Sequence, residues 1–140
     1  MAIDWQCRCA FIHIVFISVS TINQGLGSKS IHPHDKEVQN SLDFAVESFN
    51  TFSKDDHLFK VTRVVSARVE DLGGLLYILD AKLGRTQCRK GADENLTSCS
   101  STEVAGLAKK FLCHFEVLST FWRDEKYILQ SNCKPLSRQE

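Results

Sequence analysis

The chain has 140 residues, room for one domain, and its seventeen basic residues are cancelled by seventeen acidic ones. That balance argues against nucleic acid or an anionic membrane as the main partner. No apolar run reaches the length of about 18 residues that a membrane span needs.

The run from Cys9 to Ser20 instead has the length of the hydrophobic centre of an export signal, and Ser18-Val19-Ser20 supplies small residues for cleavage. Its flank is atypical, because Asp4 offsets Arg8. The expectation is a signal over residues 1–20, with a second cut position after Gly27, and a secreted, extracellular product. Removal of Cys7 and Cys9 would leave an even set: Cys88, Cys99, Cys113 and Cys133.

After Gly25-Leu26-Gly27-Ser28, Asp35 is a candidate N-cap. Val38, Leu42, Ala45, Val46, Phe49 and Phe52 then form the stripe of an amphipathic helix, which should end near Lys54-Asp55-Asp56. Lys36, Glu37, Asn40, Asp43, Glu47 and Asn50 form its wet face. The period changes to two from Phe59 through Val61, Arg63, Val65 and Ala67 to Val69, predicting a strand. Glu70-Asp71-Leu72-Gly73-Gly74 is a turn whose glycines permit positive φ.

Leu75, Tyr77, Leu79, Ala81 and Leu83 alternate on the return strand, and a polar loop carrying Cys99 runs from about Arg89 to Val104. Phe111, Cys113, Phe115 and Val117 begin a further strand, Trp122 to Lys126 form a second hairpin tip, and Tyr127 to Cys133 close the sheet. One helix followed by strands predicts an α+β domain over residues 25–134, an antiparallel sheet packed on the helix, with a short tail at 135–140.

Four cysteines allow three connectivities. Local pairing, Cys88 with Cys99 and Cys113 with Cys133, suits the strands, each bridge contributing about 3 kcal/mol on the chain-entropy estimate. A four-cysteine zinc site is the weaker alternative, because the spacings are wide and no Cys-x-x-Cys occurs. Cys113 and His114 are neighbours on a strand and point to opposite faces, so they make no catalytic dyad. His32-Pro33-His34 offers two imidazoles without a third ligand. With no phosphate loop, paired catalytic carboxylates or Ser/His/Asp set, the expectation is a binding protein without cofactor or metal, not an enzyme. Asn95-Leu96-Thr97 is an N-glycosylation sequon.

In order and at matching spacing, Gly27, Leu42-Asp43-Phe44-Ala45-Val46, Val64-Val65-Ser66-Ala67-Arg68, Leu83-Gly84-Arg85-Thr86-Gln87-Cys88 and a tryptophan-bearing hairpin between the last two cysteines resemble the type 2 cystatins over roughly residues 25–134. These are secreted inhibitors of papain-like cysteine proteases such as cathepsins. The resemblance implies a cystatin-like antiparallel sheet wrapped around one long helix, and the local disulfide pairing. It further implies a wedge of three segments for the protease cleft: Leu26-Gly27, Glu70 to Gly74, and Phe121-Trp122.

Two of these depart from the inhibitory pattern. The first tip has Glu70, Asp71 and Leu72 where the family has Gln-x-Val before the glycine, and the second has Phe121-Trp122 where the family has Pro-Trp. Seating two carboxylates at a desolvated interface without basic partners costs several kcal/mol, and a net loss of about 3 kcal/mol weakens binding roughly a hundredfold. Lys54 stands where legumain-inhibiting members carry asparagine, so the resemblance does not carry that second activity. The expected assembly is a monomer, with exchange of the helix and first strand across the hairpin as the route to a domain-swapped dimer.

Overall fold

The structure, a computed structural model, describes residues 27–91, 95–104 and 106–137. The expected signal, Cys7, Cys9 and Leu26 lie outside the described residues. The helix α1 spans Lys36–Phe52, and Asp35 caps it as its spacing predicts, its carboxylate accepting from the backbone N–H groups of Glu37 and Val38. Val38, Leu42, Ala45 and Val46 are buried, but Phe52, the last residue of the predicted stripe, is exposed.

Asn50, expected on the wet face, is buried instead. Its amide donates to the Phe59 carbonyl at 2.9 Å and accepts from the Phe59 N–H at 2.8 Å. A helix side chain thus satisfies both backbone groups of the first fully buried strand residue, as a neighbouring strand would.

A strand absent from the sequence reading, β1 (Lys29–Ser30), pairs with the edge of β2 (His57–Asp71). β3 (Leu75–Arg89), β4 (Lys110–Thr120) and β5 (Glu125–Pro135) follow, and the five strands lie in sequence order in one antiparallel sheet. The helix packs on its inner face, where Phe59, Leu79, Ala81, Leu83, Phe115 and Val117 fill the core.

Strict alternation fails in β2. Register shifts between Val61 and Arg63 and between Val64 and Ser66 move the inward positions, so Val64 packs on the core while Val65 is exposed. Such bulges add a residue to one strand and bend the sheet. Both disulfides, Cys88–Cys99 and Cys113–Cys133, form as the local pairing predicts, and the second joins directly opposed residues of β4 and β5. His114 projects from the other face of β4, 2.7 Å from Asp80, away from the sulfur beside it.

Candidate functional site

The candidate site is the end of the sheet at which β1 begins, β2 turns into β3 and β4 turns into β5. Lys29 lies opposite Val69, which brings Gly27, the first described residue, beside the Asp71 end of β2. Leu75 lies opposite Ser119, which sets the two hairpin tips side by side. Three segments far apart in sequence therefore form one edge.

In the first tip, Gly73 adopts φ +82° with open space around it, and Gly74 does not use the left-handed region. Gly74 is instead buried against the second hairpin. A Cβ there would stand 3.1 Å from the Ser119 carbonyl oxygen and 3.5 Å from the Trp122 ring, so its lack of a side chain lets the tips nest. Asp71 is occupied locally, its carboxylate accepting from the Gly73 N–H at 3.1 Å. That bond satisfies one Asp71 oxygen without neutralising its charge, and Glu70 makes no ion pair or hydrogen bond through its carboxylate among the described residues. The Asp-x-Gly sequence is the signal that could have identified this turn.

The second tip comprises Phe121 to Asp124. Thr120 closes its base, with its hydroxyl donating to the Glu125 carbonyl at 3.2 Å and its own carbonyl accepting from the Arg123 N–H. These bonds hold the turn without the family's proline; no local sequence pattern announces Thr120 in this role. Phe121 and Trp122 stack edge to face at 5.0 Å. Leu72, Phe121 and Trp122 remain 55, 76 and 57 % exposed, a ridge of apolar side chains that water covers at a cost.

Leu83–Cys88 lies at the other end of the strands and builds the scaffold. Leu83 is in the core, and Gly84 leaves room for the Thr62 methyl, which a Cβ would approach to 2.8 Å. Thr86 is buried, donates to the Leu58 carbonyl at 2.8 Å and accepts from the Cys88 N–H. The Arg85 guanidinium meets Asp55 and Asp56 at 3.0 Å each, and Lys109 reaches Asp55 at 2.9 Å.

Asp55, Asp56 and His57 converge closely enough to hold a cation, but Arg85 and Lys109 already supply the positive charge there. The hydrogen bond with His57 holds the Asp56 carboxyl down at about 2. Desolvation by itself would raise the Asp55 carboxyl; its bonds to Lys109 and the His57 N–H, with the Arg85 charge, outweigh this and lower it. A groove of about 690 Å³ between α1 and the loop after β3 also lies away from the tips. Lys60 and Lys90 in its wall are engaged by the Cys99 and Ser53 carbonyls.

The family model described as Cystatin domain matches residues 27–122. Human cystatin-SN is 37 % identical over 101 residues, covering 72 % of this chain and 71 % of its own length. Rat cystatin-C is 37 % identical over 100 residues, covering 71 % of each. The crystal structure of dimeric human cystatin F superposes with a TM-score of 0.74 at 28 % identity, over 81 % of this chain and 90 % of that one. The chain therefore belongs to the cystatin family, whose members inhibit cysteine proteases and are not enzymes.

Proposed function

We propose that this chain is a secreted, reversible inhibitor of papain-like cysteine proteases of the cathepsin type, acting as a monomer through Leu26-Gly27, Glu70 to Gly74 and Phe121-Trp122. The observation that carries the reading is the nesting of Gly74 against Ser119 and Trp122, which holds two exposed apolar tips as one rigid ridge. A preformed ridge enters a cleft with little ordering cost, and an exposed tryptophan is the residue type that most often anchors an interface. Residues 1–20 serve as the export signal in this reading.

Asn95 is exposed, and its side-chain oxygen accepts from the Thr97 N–H, leaving the amide nitrogen for N-glycosylation at the pole away from the tips. Titration of papain and cathepsin L with the refolded protein tests the main reading. Inhibition at nanomolar to micromolar concentrations supports it, and none at micromolar concentrations rejects it.

One observation favours a second reading, a non-inhibitory relative that keeps the scaffold for another binding role. Glu70 forms no ion pair among the described residues, and an acid here replaces the neutral glutamine of the inhibitory pattern in any cleft that the tips enter. A crystal structure with both tips seated in a protease cleft would exclude that alternative.

A further inference from the structure

The sheet face turned away from α1 gathers basic residues at the end opposite the tips. Arg63 on β2 lies directly opposite Lys82 on β3, and Lys82 lies opposite Leu112, whose partner on β5 is Lys134. Two residues along, Gly84 stands between its partners Lys60 and Lys110. The flanking residues Phe59, Ala81, Leu83, Phe111 and Cys133 pack in the core, so these five cations share the outer face. Strand spacing confines them to a patch about 15 Å wide.

Like charges directly opposite each other on a sheet destabilise the pair, as Arg63 and Lys82 do here. Arg63, Lys82, Lys110 and Lys134 make no ion pair or hydrogen bond through their side chains among the described residues. Lys60 donates to the Cys99 carbonyl at 2.6 Å, which leaves its charge in place. Two acids border the patch. Asp80, two residues from Lys82, is 2.7 Å from His114, and the exposed Glu103 shares a groove of about 380 Å³ with Lys60 and Lys110. Arg85 and Lys109 in that groove are paired with Asp55 and Asp56. Five cations against two acids leave a local excess of three, which the zero net charge of the chain conceals. Glu37, Asp43 and Glu47, which offset it, lie on α1 across the sheet.

We propose that this face binds a sulfated polysaccharide and leaves the tips free for a second partner. A linear polyanion with a charge every few ångströms can follow the row from Arg63 to Lys134. The half-buried hydroxyls of Ser101 and Thr102 line the same groove and can donate to sulfate oxygens. No aromatic side chain stands among the five cations, so the patch lacks the stacking platform that single-stranded nucleic acid uses. Under the secretion proposed above, the chain meets such polysaccharides outside the cell.

The test is calorimetric titration of the full chain with a size-defined heparin octasaccharide, at about 0.15 M NaCl and at higher salt. Binding should weaken steeply as salt rises. Arg63→Gln/Lys82→Gln/Lys134→Gln should weaken it by about tenfold or more, with no fall in melting temperature. The control Lys29→Gln/Lys36→Gln, which removes two cations outside the patch, should leave it unchanged. No binding by the parent chain overturns the proposal, as does an equal loss in the control. Equal affinity for desulfated heparin or for a DNA octanucleotide also overturns it. Binding is read without a protease, so failure to inhibit papain bears on the proposed function and not on this face.

Discussion

At the end of the sheet where α1 hands over to β2, polar side chains find partners within the chain: Asn50 with Phe59, Arg85 with Asp55 and Asp56, and Thr86 with Leu58. At the opposite end, Leu72, Phe121 and Trp122 stand in solvent, and the Glu70 carboxylate makes no ion pair among the described residues. Fifteen-residue strands separate the two ends, a span on the order of 45 Å. In the inhibitory reading proposed above, the grouped apolar side chains at the tips serve recognition rather than the fold. Stability and recognition therefore answer to different substitutions.

The sharpest separation comes from Asn50→Ala, which strands both backbone groups of Phe59 in the interior. It should cost about 3 kcal/mol in denaturant unfolding, while Ki measured where the variant is still folded stays unchanged. Trp122→Ala should do the reverse. Its melting temperature should barely move, while Ki for papain rises about thirtyfold, the effect of losing roughly 2 kcal/mol at an interface anchor. If the melting temperature falls and Ki does not change, Trp122 belongs to the scaffold.

Smaller effects sharpen the contrast through pH. A carboxyl held low in the folded state stabilises above the unfolded value of 3.8 and loses that contribution as pH falls towards about 2, as for Asp56. Acid unfolding followed by circular dichroism should accordingly begin at lower pH and run less steeply in Asp56→Asn than in the parent at matched neutral stability.

The smallest effect is at His114. The hydrogen bond with Asp80, aided by Glu116, raises the imidazole above its ordinary 6.5. It therefore stabilises fully below 6.5, and the contribution fades as pH climbs through the raised value. Both partners are about a third exposed, so the gain on acidification from pH 8 to 6 should be a few tenths of a kcal/mol and vanish in His114→Gln.

Much of the scaffold is legible in the chain as written. Asp35 and the apolar stripe specify α1, the alternation from Leu75 to Leu83 specifies β3, and Leu83–Cys88 carries part of the family signal. These are local signals, set by the pitch of a helix and the pleat of a strand. Tertiary circumstances hid the rest: the β2 bulges that turn Val64 inward and Val65 out, and the burial of Asn50. The candidate site follows from three segments of the family pattern, but Thr120 closing the second tip carries no pattern of its own.

Composition, periodicity and motif order by themselves determined one α+β domain, its helix and long strands, and the tip segments, because each rests on side-chain spacing along a single element. Only the tertiary structure decided that Gly74 nests under Trp122 and that the Asp71 carboxylate bonds its own turn. Those facts depend on which groups from distant segments meet within a few ångströms, and charge and close packing are settled at that range.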